Sequence, residues 1–241
     1  MEQQITEAQL EKLQHRASRV RSSLNRRAEK PLVVEFAGSP KAGKSSTIDT
    51  VVHFFKRTDF RVFAPTEGAS KRTPEQLRQD KVAFNVWTIN DAISQLLAAY
   101  HEGQSDLIIL DRGCFDSIAW CDLHVKQGKL SPEEAKVIKD FAIHPHWIGY
   151  ISRLYLFTCA PGVSMQRETA ATLTSLEGST MNSNTLAALL QEYDGLVQTL
   201  SDEYEVRKLD TTSPGSPRAS GYFIADDILK IWESNLPGEL N

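Results

Sequence analysis

The sequence predicts an α/β protein of three layers, a parallel sheet of about five strands with helices on both faces. Two observations carry that prediction. Short apolar runs, Leu32–Ala37 (LVVEFA), Asp106–Leu110 (DLIIL) and Arg153–Cys159 (RLYLFTC), alternate with longer stretches whose apolar residues recur every three or four positions. Continuous apolar runs mark strands buried on both faces, and the longer period marks helices with one buried face. A glycine-bearing turn, Gly38–Ser45 (GSPKAGKS), then joins the first apolar run directly to a helical segment.

In chain order, Thr6 to Glu29 reads as a helix. Leu10, Leu13, Ala17, Val20 and Leu24 share one face, and Lys12, Arg16, Arg19, Arg21, Arg26 and Arg27 lie on the other. We set residues 1–29 apart as an amphipathic helix ahead of a domain at 30–241. Its basic face is either a solvated surface or a surface for a partner or nucleic acid. Pro31 ends this helix, and Leu32–Ala37 is the first strand. Ser45 to Lys56 is helical, and Arg61–Pro65 is a second strand. Pro74 to His101 is mostly helical, with Val82, Val86, Ile89, Ile93, Leu96 and Leu97 on one side. Asp106–Leu110 is a strand ending at Asp111, followed by a helix over Asp116–Lys126. Ser131 and Pro132 start another helix as N-cap and first-turn proline. Arg153–Cys159 is a strand, Gly162–Ala171 and Asn184–Leu200 are helices, Val206–Leu209 is the last strand, and Tyr222–Glu233 the last helix.

With 241 residues, 41% hydrophobic and 24% charged, the chain suits one sizeable soluble domain. A net charge of −4 argues mildly against a nucleic-acid partner, though it is compatible with a local basic patch. Cys114, Cys121 and Cys159 lack close metal-ligand spacing and read as buried, reduced thiols of a cytoplasmic protein. No apolar run approaches membrane-spanning length, and the N-terminus does not read as a signal peptide.

GSPKAGKS matches G-x-x-x-x-G-K-[ST] in the context that gives the motif meaning, strand before and helix after. The expected fold is therefore that of P-loop nucleotide-binding proteins. Gly38 and Gly43 allow close backbone approach, and the amides of Ser39, Pro40–Ala42, Gly43, Lys44, Ser45 and Ser46 surround the phosphates, proline lacking the N–H. Lys44 is expected to reach the β- and γ-phosphates of ATP, and Ser45 to ligate Mg²⁺. A second motif, Leu107–Gly113 (LIILDRG), places Asp111 at a neighbouring strand end, where it can hold Mg²⁺ directly or through water. Arg112 beside it can neutralise a transferring phosphoryl group.

From Pro31 to about Trp232 the sequence resembles the thymidylate kinase and deoxynucleoside kinase branch of P-loop kinases. The resemblance is carried, in order, by VVEFAGSPKAGKSST, VFAPTEG (Val62–Gly68), DRGCFDSIAW (Asp111–Trp120), LFTCAPGVSMQRE (Leu156–Glu168) and KLDTT (Lys208–Thr212). It implies that Glu67 orients or deprotonates the acceptor hydroxyl or holds Mg²⁺ through water. It implies that Arg167 is the lid arginine closing over the phosphates, with a mobile lid at about 167–184 centred on GSTMN (Gly178–Asn182). It also implies that the loop containing Thr211 touches the adenine, and that the chain dimerises through a helix face.

The pattern departs from the branch in three places. Pro40 and Lys41 stand where thymidylate kinases carry an acid that contacts the acceptor sugar. Asn85-Val86-Trp87 stands where an arginine grips the acceptor monophosphate. No arginine lies between Arg167 and Arg207. Arg72, Arg78, Lys71 and Lys81 could supply cations instead. The departures favour an uncharged acceptor hydroxyl, with Asn85, Trp87 and Thr88 either lining its pocket or, for the tryptophan, packed in the core. His144-Pro145-His146-Trp147 reads as a turn rather than a metal site.

The leading expectation is an ATP-dependent phosphotransferase for a nucleoside- or nucleotide-like acceptor. The alternatives are a nucleotide-gated binding module with little phosphotransfer, presenting the N-terminal helix to a partner, and a kinase of polynucleotide ends.

Overall fold

The computed structural model describes residues 5–24, 30–65, 73–172, 174–213 and 217–235. The elements are α1 (Glu7–Leu24), β1 (Leu32–Gly38), α2 (Lys44–Arg57), β2 (Val62–Phe63), a 3-10 turn (Glu75–Arg78), α3 (Lys81–Glu102), β3 (Leu107–Asp111) and α4 (Cys114–Lys126). They continue with α5 (Pro132–Ala142), α6 (Pro145–Ile148), β4 (Ile151–Thr158), α7 (Pro161–Thr172), α8 (Ser183–Leu200), β5 (Val206–Asp210) and α9 (Pro217–Asn235).

The described strands form one sheet of five in the order β2-β3-β1-β4-β5, with every pairing parallel. Parallel neighbours require crossovers, and the intervening helices supply them. The order reverses direction at β1, which lies between β3 and β4. In register, Phe36 stands opposite Asp111 and Gly38 opposite Phe157. The carboxyl ends of β1, β3 and β4 therefore open at one edge, the place where open α/β sheets bind ligands.

Alternation along β1 divides the core in two. Val34 and Phe36 join the cluster that α1, α2 and α9 cover, with Leu13, Val51, Phe55, Ile228 and Trp232. Val33 and Ala37 join the opposite cluster, with Ile89 of α3, Phe115 of α4 and Leu189 and Tyr193 of α8. Helices thus cover both faces. At Glu35 the strand places a carboxylate, fully buried, on the same side as Val33 and Ala37.

α1 buries Leu13, Ala17, Val20 and Leu24. Two arginines from its basic face turn inward. Arg16 bonds Glu233 at 2.9 and 2.7 Å and also pairs with Asp226, both on α9. Arg21 pairs with Asp106 at 3.3 Å. The Arg16 pairs orient α1 on α9, and the Arg21 pair ties it to the chain just before β3; Arg26 and Arg27 lie outside the described residues.

Several boundaries differ from the sequence expectation. The second strand is Val62–Phe63, not Arg61–Pro65, because it pairs only along Leu107 and Ile108 of β3. The stretch expected as one helix from Pro74 divides, because the Asp80 side chain accepts from the Val82 and Ala83 N–H groups and so caps a new helix. α9 begins at Pro217, a turn before Tyr222. His144 caps the short α6, its Nδ1 accepting from His146 N at 3.2 Å. Among the described residues no group of three His, Cys, Asp or Glu could hold a metal. None of the described helices is long and apolar enough to cross a membrane. The three cysteines are free and buried.

Candidate active site

The loop from Gly38 to Ser45 is shaped by two glycines with different duties. Gly38 has φ of +130°, and a Cβ there would stand 1.9 Å from the Phe157 carbonyl oxygen. That contact lets Ser39 N donate to the same oxygen at 2.9 Å and fixes the loop to β4. Gly43, at φ of 84°, precedes α2 as its N-cap, and a Cβ there would meet nothing within 4 Å. Lys41 also sits in the left-handed region. The Lys44 ammonium donates to the carbonyls of Gly38 and Ser39, both at 2.8 Å. Ser45 and Ser46 are exposed in the first turn of α2. Residues Pro40 to Thr47 form one wall of a cavity of about 830 Å³.

The opposite wall holds Asp111 and Arg112. Arg112 has φ of 63° and donates its N–H to Phe36 O at 2.9 Å. Its guanidinium bonds Asp116 Oδ2 at 2.6 Å. The other Asp116 oxygen accepts from Gly38 N at 2.8 Å and from the Tyr193 hydroxyl at 2.7 Å. One buried carboxylate thus joins the phosphate-binding loop, the Asp-Arg motif and α8. Burial alone would raise its pKa, yet Arg112, then Lys44, then the Gly38 N–H hold it below the usual carboxylate range. Burial in turn would lower the Arg112 pKa, but Asp116, joined by Tyr193 and Asp111, more than offsets it and keeps that guanidinium charged.

Glu35 supports the same corner from below. It accepts from Asp116 N at 2.9 Å and Phe115 N at 3.3 Å, at the start of α4. Burial nevertheless pushes its pKa up to about 8. A Cβ at Gly113 would lie 2.7 Å from Glu35 Oε2, so glycine is what admits this carboxylate.

Half-buried Arg167, on α7, donates to Thr211 O at 2.7 Å and Lys41 O at 3.1 Å. The Thr211 hydroxyl donates to Ala42 O at 2.9 Å, and Lys41 pairs with Glu168 at 2.9 Å. Arg167 and Thr211 are thus brought to the phosphate-binding loop and line the same cavity. Thr180 and Met181, from the segment expected as the lid, complete it. Glu67 lies outside the described residues, as do Lys71 and Arg72.

A second cavity, of about 410 Å³, runs between α3 and α4. Phe84, Asn85 and Thr88 of α3 face Ser117 and Trp120 of α4 across it. Asn85 is held in place, its Nδ2 donating to Ser117 O at 3.2 Å and Cys121 Sγ at 3.1 Å. Trp87 does not line the cavity; the aromatic wall is Phe84 and Trp120. The two cavities share Pro40, Asp111, Arg112 and Thr180. They meet where the two motifs meet.

Sequence reasoning missed Glu35, Asp116, Tyr193 and Trp120. The one available signal was Glu35, an acid in the middle of an apolar strand that had to be buried on both faces.

No family model matches the chain, and no curated protein is similar to it in sequence. Its fold is shared with solved structures of deoxyadenosine kinase from M. mycoides. The structure with bound dCTP aligns with a TM-score of 0.59 at 10% identity, covering 83% of this chain and 100% of that one. The structure with dCMP and a flexible dCDP gives 0.60 at 14%, with 83% and 100% coverage. The structure with bound dATP gives 0.59 at 14%, with 82% and 99% coverage. The five-stranded parallel sheet is thus that of a P-loop deoxynucleoside kinase fold.

Proposed function

We propose that this protein transfers the γ-phosphoryl group of ATP to the hydroxyl of a small nucleoside- or nucleotide-like acceptor. The observation that carries this reading is the junction of two cavities at Pro40, Asp111, Arg112 and Thr180. One is walled by the phosphate-binding loop, the other by aromatic and amide side chains suited to a flat polar ring. A protein that only hydrolysed ATP would have no use for the second.

In this reading the larger cavity takes ATP. Lys44 exchanges the Gly38 and Ser39 carbonyls for β- and γ-phosphate oxygens. Arg112, held by Asp116, faces the group in transfer, and its charge offsets the charge that accumulates there. Arg167 and Thr211 border the nucleotide's other end. Glu67 orients the acceptor hydroxyl or takes its proton. Ser45 and Asp111 offer hard oxygen donors on one cavity wall, a set that fits Mg²⁺ completed by phosphate oxygens. Mg²⁺ bound there would supply charge neutralisation of the triphosphate. The protein is read as cytoplasmic and as able to form a homodimer through a helix face.

The acceptor is better read as a hydroxyl without its own phosphate at the junction. Arg112 is the guanidinium shared by both cavities among the described residues, and it is already bound to Asp116. Two juxtaposed phosphates would call for more cations at that point. Incubating the purified protein with ATP, Mg²⁺ and a panel of nucleosides and their monophosphates tests the reading. Acceptor-dependent ADP release is expected; release no faster than basal hydrolysis with every acceptor would sink it.

A further inference from the structure

The groove between α3 and α4 has two chemically different ends. Asn85 bonds Ser117 and Cys121, and the Lys81 carbonyl faces His124, so the two helices run antiparallel. Gly113 follows Arg112 of the junction directly, and His124 stands eleven residues further along α4. At 1.5 Å per residue that is about 16 Å. The carboxylates lining the groove, Asp91, Asp111 and Asp116, lie toward the junction. The far end is lined by Arg78, Lys81, His124 and Lys129, with no carboxylate among the described lining residues.

The two lysines there are unlike their neighbours. Lys81 Nζ donates to Arg78 O at 2.9 Å and Lys129 Nζ to Gln127 Oε1 at 2.7 Å, both neutral oxygens. Lys126, Lys136 and Lys139, nearby on α4 and α5, each reach a carboxylate at 2.5–2.6 Å. In a chain of net charge −4, this end of the groove is a local concentration of positive charge. Buried His124 registers it: burial first, then the charge of Lys129, hold its imidazole below the usual range. The distance also separates these cations from the transfer point, so they do not serve the migrating phosphoryl group.

Resting on the phosphotransferase reading, we infer that the acceptor carries an anionic group, a carboxylate or a phosphate, at the end opposite its reacting hydroxyl. Lys81 and Lys129 bind that group. The aromatic middle of the groove holds the ring between the two ends, so acceptor length and tail charge together set specificity.

Matched pairs test this. Adenosine against N6-(1,2-dicarboxyethyl)adenosine places carboxylates on the base. N6-(2-hydroxyethyl)adenosine against the phosphate ester of its side-chain hydroxyl places a phosphate there instead. In at least one pair the anionic member is expected to show a KM about tenfold lower, an advantage that shrinks with added salt. Lys81→Ala/Lys129→Ala is expected to collapse the ratio within that pair, with the loss in KM rather than kcat. The responding pair identifies the source of the anion. Discrimination in neither pair, or discrimination that the double variant leaves intact, overturns the inference. The same ratios read by calorimetry, with ATP replaced by a non-hydrolysable analogue, separate the two failures. Turnover without discrimination defeats this inference alone. Discrimination in binding without turnover defeats the kinase reading and leaves the anion site standing.

Discussion

The Tyr193 hydroxyl donates to Asp116 Oδ1 at 2.7 Å, and through that carboxylate α8 is tied to both Gly38 of the P-loop and Arg112 of the Asp-Arg motif. Asp116 is 2% exposed and accepts from three donors on three different segments. Asp116→Asn keeps the shape but brings an amide donor against Gly38 N–H, Tyr193 or Arg112. The variant is expected to lose about 3 kcal/mol of stability, as when one partner of a buried ion pair is removed. Turnover should fall about 100-fold, because Arg112 is no longer aimed. Tyr193→Phe, which leaves the ion pair whole but removes a hydrogen bond to a charged group, should cost about 1.5–2 kcal/mol. Denaturant unfolding and steady-state kinetics of the two variants check both magnitudes.

The two loop glycines are expected to respond differently to one methyl group. Gly38→Ala drives a Cβ to 1.9 Å from a backbone oxygen that cannot move without shifting β4. It should cost more than about 3 kcal/mol and yield little folded protein. Gly43→Ala meets open space and carries only the left-handed penalty of about 1–2 kcal/mol. Thermal unfolding of Gly43→Ala should therefore remain cooperative, and its defect should appear as weakened nucleotide binding.

Glu35 gives the fold a pH dependence whose sign follows from burial. Its folded-state pKa of about 8 lies above the ordinary carboxyl value of 4.5, so the folded state binds the extra proton between those values. Stability associated with this group is present below about pH 4.5 and is lost as pH rises through 8, by up to about 1.4 kcal/mol per pH unit. Glu35→Gln removes that slope. Denaturant midpoints from pH 5 to 9 should fall for the wild type relative to the variant; parallel curves would refute the assignment.

Arg167 bridges Lys41 and Thr211 in the lining of the larger cavity. Arg167→Ala should weaken binding of a non-hydrolysable ATP analogue about tenfold, or about 1.4 kcal/mol, the loss of one positive charge lining that cavity. Acceptor KM should change much less. Calorimetry with the analogue reads the first effect, and kinetics at saturating ATP the second.

Strands β1, β3 and β4 were legible because burial on both faces leaves a continuous apolar run. The phosphate-binding loop was legible because its glycines, lysine and serine are consecutive. β2 was overestimated because pairing, not composition, decides where an edge strand stops, and Phe63 is its last paired residue. Asp80 reads as a helix start only once its side chain is seen on Val82 and Ala83. The Asp116 hub was hidden for a different reason. Its partners Gly38 and Tyr193 lie 78 and 77 residues away, and nothing local announces either contact. Trp87 and Trp120 show the limit of periodicity: both sit on helices flanking the groove, and only the packing of α3 on α4 decides which ring faces it.

The most direct test follows the label from ATP carrying a radioactive γ-phosphate, with Mg²⁺ and the acceptor that gives the fastest ADP release. Wild-type protein should place the label on the acceptor hydroxyl, and Lys44→Ala should slow that transfer by at least about 100-fold while remaining folded. Label released only as inorganic phosphate, or transfer that survives Lys44→Ala undiminished, would contradict the account.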